Sequence, residues 1–309
     1  KSSNFSVFGN LDYLLSASLK FSIGLRWEDW EADYSDSLNE LFNPADKMSG
    51  GKISLIKSMT NETNIYASLA KGYKQGGFNL GLGLDANSTN QNLAYDPEFL
   101  TNYELGINTK LLDSKINFNG VIFFSYREDQ QVLISTQTDP SDPNTFSFLT
   151  QNAAEGVNHG LEINMDIDIR ESLSAFLNLG MLKTEIKNWQ SRQDLEGRAQ
   201  AHAPEKSYAL GLDWTPTSHT YLAIDFTGKS SFYYSDSHNN KSKSYVLTNL
   251  NLGYVKNNWS YELWARNVFD EYYSVRGFYF GNEAPNFIDT LYERHGDPRN
   301  IGFSIRYDF

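Results

Sequence analysis

The chain contains no cysteine. Disulfide frameworks, thiolate catalysis and cysteine-ligated metal are therefore excluded. Basic charge is scarce too: 26 Lys and Arg stand against 38 Asp and Glu, a formal net charge of −12. With no basic stripe to neutralise phosphates, nucleic acid is not an expected partner. Proline is sparse, at 8 residues in 309. No apolar run approaches the ~18 residues of a transmembrane helix, and helical periodicity is hard to find. The chain starts Lys1-Ser2-Ser3 without an initiator methionine or a signal peptide, so the expectation is a processed or truncated N-terminus. No nucleophile elbow, phosphate loop or dinucleotide fingerprint occurs, and the expectation is that the protein is not an enzyme.

What is present is aromatic side chains in strict alternation with polar ones. The chain holds 20 Phe, 19 Tyr and 6 Trp, yet its mean hydropathy is only −0.51. That combination fits a sheet with one greasy and one wet face. Leu19, Phe21, Ile23, Leu25 and Trp27 alternate with Lys20, Ser22, Gly24, Arg26 and Glu28. In GLEINMDIDI, Leu161, Ile163, Met165, Ile167 and Ile169 oppose Glu162, Asn164, Asp166 and Asp168. Three carboxylates on one strand face cannot enter a dry core, because unpaired buried charge costs too much.

Period-2 alternation predicts about thirteen strands: 3–15, 18–32, 49–60, 62–75, 98–112, 114–135, 144–170, 172–187, 204–216, 219–232, 243–256, 258–270 and 299–309. Short polar turns, such as Thr60-Asn61-Glu62, Asp113-Ser114 and Lys256-Asn257-Asn258, alternate with long stretches near 33–48, 76–97, 136–143, 188–203, 233–242 and 271–298. Short turns at one end and long loops at the other describe an all-β transmembrane antiparallel barrel with its long loops outside the cell. A soluble sandwich also alternates, but it shows no such asymmetry and rarely has strands this long. An odd count leaves the first and last strands running the same way. Backbone groups at an open edge in lipid stay unsatisfied, so the expectation is one part of a larger barrel.

Five stretches in chain order carry a family resemblance. They are YASLAKGYKQGGFN (66–79), DPEFLTNYELGINTKLLD (96–113), GVNHGLEINMDI (156–167), NVFDEYY (267–273) and the closing NIGFSIRYDF (300–309). Together they resemble the C-terminal barrel portion of the TonB-dependent outer-membrane receptors. The resemblance implies that residues 1–309 belong to a barrel of about 22 strands, with no counterpart here of the family's plug domain or TonB box. It further implies a multi-pass location in the bacterial outer membrane, in contact with its lipid. The implied function is energy-coupled import of a scarce nutrient, most often a ferric siderophore, driven by the TonB complex through a plug. A receptor-like barrel kept as a structural scaffold in a larger assembly and a passive porin stand as alternatives. No cofactor is implied.

The same resemblance draws attention to the loop 271–298. Tyr272, Tyr273, Phe278 and Tyr279 lie there with Arg276 and Arg294, and Tyr233 and Tyr234 lie in the neighbouring loop. Aromatics with cations suit an anionic iron complex; a loop packing on itself, with tyrosines in the interfacial belt, is the other reading. The histidines His159, His202, His219, His238 and His295 show no metal-ligand spacing, and TDPSDPN (138–144) lacks the regularity of a calcium loop. The closing strand alternates Ile301, Phe303, Ile305, Tyr307 and Phe309 with Gly302, Ser304, Arg306 and Asp308. Its Gly302, Ile305, Tyr307 and Phe309 resemble the C-terminal signal read by the outer-membrane assembly machinery.

Overall fold

The computed structural model describes residues 1–309 except 36–40, 80–93, 138–145, 190–191, 237, 282 and 289; for 41–42, 134–137, 146–148 and 153 it describes only the backbone. The acidic turn at 138–144 thus lies outside the described residues. Thirteen strands form one antiparallel sheet in which chain neighbours are also sheet neighbours. They are β1 (Ser2–Ser16), β2 (Leu19–Ala32), β3 (Ala45–Ser58), β4 (Thr63–Lys74), β5 (Glu98–Leu111), β6 (Ile116–Gln137), β7 (Phe146–Arg170), β8 (Leu173–Asn188), β9 (Lys206–Thr217), β10 (Thr220–Lys229), β11 (Tyr245–Lys256), β12 (Trp259–Arg266) and β13 (Asn300–Tyr307). The alternation therefore gave the right strands in the right order, because a side-chain period of two survives any turn chemistry.

The register assigns the two faces. Ile23, Ile53, Leu69, Tyr103 and Phe124 lie in one row across β2 to β6, and Leu25 lies on the same face two residues along β2. Leu25 is 62% exposed and Leu105, two residues along β5, 49%, so this apolar face has no protein to cover it and is the lipid face. At the short-turn end it finishes in a belt of rings. Trp259 stacks on Tyr261 (centroids 6.1 Å) and meets Tyr307 at 4.8 Å, and Tyr307 meets Phe309 at 5.1 Å. Amphipathic rings of this kind sit at a membrane interface.

The opposite face is polar and cross-linked. Asn102 and Ser68 donate to Glu104 at 2.8 and 3.3 Å, Asn249 donates to Asp225 at 2.8 Å, and Asn251 to Glu262 at 2.5 Å. Glu162, Asp166 and Asp168 share that wet face of β7 by alternation. Five glycines on it are seats for aromatic rings directly opposite in register: Tyr66 on Gly106, Phe123 on Gly160, Phe176 on Gly211, Tyr221 on Gly253 and Trp264 on Gly302. A Cβ at any of them would overlap its ring. The rings thereby lie along the wall instead of projecting into the lumen.

Apolar clusters occur only at the long-loop end among the described residues. Trp30, Ala32 and Met48 pack with Tyr73, Phe78 and Phe99, and Val132, Ala154, Ile186, Trp189 and Leu195 form a second knot. The membrane wall needs no core because lipid covers its greasy face. β1 and β13 are the two edges of the sheet and are not paired with each other. They run in the same direction, so antiparallel closure between them takes an odd number of further strands.

Two local differences from the alternation pattern have physical causes. The loops near 33–48, 76–97 and 271–298 contain short hairpins, Tyr34–Ser35 with Leu41–Phe42, Gly77–Phe78 with Ala94–Tyr95, and Ser274–Phe280 with Thr290–His295. The strand expected at 258–270 ends at Arg266, because Asn267 turns into the left-handed region (φ 47°). Its side chain closes the turn: Nδ2 donates to the Glu271 and Asp297 carbonyls at 3.0 and 3.1 Å, and Oδ1 accepts from the Glu271 amide at 2.8 Å. Asn tolerates that conformation better than most residues.

Candidate functional site

The largest described outer loop, between β12 and β13, carries the hairpin Ser274–Phe280 with Thr290–His295. Its register pairs Arg276 with Arg294, Gly277 with Glu293, Phe278 with Tyr292 and Tyr279 with Leu291. Alternation sorts these pairs onto two faces. Gly277, Glu293 and Tyr279 dock onto the loop after β10. Buried Tyr234 lies on Gly277, where a Cβ would overlap its ring, and its hydroxyl donates to Glu293. Tyr279 donates to Asn240 Oδ1 at 3.3 Å, and its ring meets His238 edge-on at 5.0 Å.

The other face carries Arg276, Arg294, Phe278 and Tyr292, with the two rings stacked at 6.1 Å. Both arginines and Phe278 are exposed. At the base of the hairpin, Tyr272 stacks on His295 at 4.2 Å and bonds its Nε2 at 2.5 Å, while Tyr273 packs on Tyr245 at 4.5 Å. The eight residues singled out in the sequence thus divide by role. Arg276, Arg294 and Phe278 share one open face; Tyr234 and Tyr279 are the docking contacts beneath it; Tyr272 and Tyr273 brace its base.

Tyr233 belongs to a separate arrangement. Its ring lies against two cations, the Arg198 guanidinium at 4.4 Å and Lys241 Nζ at 4.2 Å. Arg198 organises the whole loop after β10. Its Nη1 donates to the His238 carbonyl and Asn239 Oδ1, at 2.8 and 2.9 Å. Its Nη2 donates to the Ser235 carbonyl and Asp236 Oδ1, at 3.1 and 2.9 Å. Sequence reasoning passed over Arg198, Lys241 and Glu293, and weighed His238 only as a metal ligand. Only Arg198 left any trace, as one of two arginines, with Arg192, in a loop otherwise rich in small and polar residues.

Electrostatics at this junction make it sensitive to acid. Burial pushes the His202 imidazole below its ordinary 6.5, and nearby Arg276 pushes it further, against a weaker opposite pull from Asp236. Burial likewise lowers His238, with Arg198 adding to the effect and a bond to Gly277 opposing it. Both rings are held neutral, so their contribution to the packed loops is full above about pH 6.5 and falls as pH drops below it. Tyr234 behaves oppositely: burial and Glu293 push it up to about 12. Its contribution is complete below the ordinary tyrosine value and is lost only as pH rises through that range. Limited proteolysis of the loops near 230–244 and 267–299 is expected to quicken at about pH 5 relative to about pH 7.5. His202→Phe with His238→Phe is expected to remove the difference.

Long strands, a lipid face closed by an aromatic belt, a wet face and loop elaboration at one end define the class: an outer-membrane β-barrel wall. The particular family follows from comparison. Residues 1–268 match the family described as TonB dependent receptor-like, beta-barrel, and the chain belongs to it. Over 265 residues it is 22% identical to the ferric-pyoverdine 358 receptor of Pseudomonas putida, covering 82% of this chain and 28% of that one. It is similar in structure to the ferric yersiniabactin uptake receptor FyuA of Yersinia pestis, with TM-score 0.80, 16% identity, and 100% of this chain against 46% of that one. It also resembles the siderophore receptor PiuA of Acinetobacter baumannii, with TM-score 0.76, 19% identity, and coverage of 99% and 43%. The chain spans less than half the length of each of these relatives.

Proposed function

We propose that this chain is the C-terminal barrel wall of a TonB-dependent receptor that takes up a ferric siderophore, a transporter and not an enzyme. The plug and the TonB box are supplied by residues outside this chain, and the TonB complex drives uptake through that plug. A barrel of about 22 strands leaves about nine to be added, an odd number as the parallel edges require. The observation that carries the siderophore reading is the outer hairpin, which presents two arginines and a stacked aromatic pair on one open face. The relatives named above are receptors for ferric siderophores by their own descriptions. Gly302, Ile305, Tyr307 and Phe309 serve assembly: the last three keep their apolar groups on the lipid face at the closing edge, where the insertion machinery meets them.

Cells carrying the intact receptor are expected to accumulate radio-iron presented as a ferric siderophore, in a TonB-dependent manner. Removing residues 274–295 is expected to lower that uptake at least about tenfold, since loop contacts supply capture. Absence of uptake for any ferric siderophore, with growth under iron limitation unaffected by loss of the receptor, overturns the reading.

A further inference from the structure

Arg276 and Arg294 stand directly opposite each other in the outer hairpin. Side chains so paired are about 4.5–5.5 Å apart at Cβ, where like charges weaken the pairing. Neither guanidinium has an ion pair among the described residues. Carboxylate is not in short supply, since acidic residues outnumber basic ones 38 to 26. Three arginines of the outer loops and strand ends are neutralised: Arg198 by Asp236, Arg192 by Asp194 and Arg127 by Glu98. Two described carboxylates of the same loop are committed elsewhere. Glu293 faces the other way and accepts from Tyr234, and Glu283 accepts from Tyr292 at 3.1 Å. An adjacent like-charged pair left bare in an acidic protein lacks a counter-ion, and it lies beside a stacked ring pair, exposed Phe278 and half-buried Tyr292.

We propose that this face is an anion clamp, in which Arg276 and Arg294 jointly take an anionic, aryl-bearing ligand whose ring lies against Phe278. The clamp rests on the uptake reading above and narrows its substrate to iron complexes with net negative charge and exposed catecholate or phenolate rings. Two guanidinium forks can each grip an oxygen pair of the ligand. The ligand also supplies the missing counter-charge, so binding stabilises the hairpin against its own repulsion. A cationic complex meets the same two charges unfavourably and is rejected.

The test uses the intact receptor in outer-membrane vesicles, with an anionic ferric tris-catecholate complex and a cationic ferric tris-hydroxamate complex as probes. The wild type is expected to bind the anionic probe with an affinity that falls as salt rises. Arg276→Gln with Arg294→Gln is expected to weaken that binding by about thirtyfold and to flatten the salt dependence. Arg276→Lys with Arg294→Lys is expected to keep the salt dependence and lose only part of the affinity. Protease resistance of the 267–299 loop, equal to wild type, shows that the Gln variant still folds. Anionic binding unchanged in the Gln variant overturns the clamp and leaves the uptake reading standing. Equal loss for both probes also overturns it, because a general loop defect then explains the result. A wild type that fails to bind the anionic probe, whether or not it binds the cationic one, overturns the clamp; the uptake reading falls only if the radio-iron assay also finds no ferric siderophore taken up.

Discussion

Replacing Gly253 by valine is expected to destabilise the barrel wall by about 1–3 kcal/mol or more. Tyr221 lies flat on Gly253 directly across β10 and β11, and a Cβ there would occupy the space of its ring. A branched side chain forces the ring off the wall into the lumen. Interiors tolerate such overpacking poorly because neighbours cannot yield without leaving their rotamers. The mechanism predicts strong coupling. In a Tyr221→Ala background, Gly253→Val is expected to cost little, since the ring it collides with is gone. Gly72 supplies the control: a Cβ there meets nothing within 4 Å, and Gly72→Val is expected to be tolerated. Urea unfolding of the intact receptor in micelles measures all four proteins. Additive costs for Gly253→Val and Tyr221→Ala would show that the seat is incidental.

Asn267→Ala is expected to undo the base of the outer hairpin at a cost of about 3–5 kcal/mol, combining orphaned polar groups with backbone strain. Asn267 is 4% exposed and has φ 47°. Its amide satisfies the carbonyls of Glu271 and Asp297 and the amide of Glu271, while its own N–H donates to Asn249 Oδ1 at 3.1 Å. Alanine leaves those partners without their side-chain bond and is penalised in the left-handed region. Asn267→Gly is expected to recover only the backbone share, about 1 kcal/mol. Asn267→Asp keeps the acceptor for Glu271 and loses both donors. Hydrogen exchange across 267–299 reads the result: fast exchange throughout the loop in the Ala variant, with β10 and β11 unchanged. Wild-type exchange in Asn267→Ala would refute the role. The same turn holds the entrance to β13, because the Arg299 amide donates to Asp270 Oδ1 at 2.8 Å. The motif NVFDEYY is thus a fastening between the penultimate strand, the outer hairpin and the last strand.

Much of the wall was legible in the sequence. In GLEINMDIDI the apolar and acidic residues separate strictly by parity, and the register keeps them on opposite faces. The expected end of the penultimate strand at 270 was wrong by a few residues. Alternation continues through Val268 and Asp270, and nothing in the pattern reveals that Asn267 adopts a left-handed turn. The aromatic loop 271–298 was marked as a candidate, but its hairpin was not. Apolar and polar residues mix there with no period, since neither face looks onto lipid and no solvent contrast writes a pattern.

The site shows the same division. Arg276, Phe278 and Arg294 were picked out one by one, from the chemistry of cations beside rings. That the two arginines are direct cross-strand neighbours depends on the register of 276–280 against 290–294, which side-chain type does not encode. Arg198 holds the loop after β10 from 37 to 41 residues away in sequence, through its bonds to Ser235, Asp236, His238 and Asn239.

By itself, the sequence determined the membrane barrel, its strand order, which face of each strand meets lipid, and which end carries the elaborated loops. All of these follow from a period-two pattern that solvent contrast imposes locally, strand by strand. Only the tertiary structure decided that Arg276 and Arg294 share one unneutralised face, that Tyr234 and Tyr279 support it from beneath, and that five rings lie on glycines across the wall. Those facts depend on register and on loop-to-loop packing, which bring together residues distant in the chain and leave no local periodicity to read.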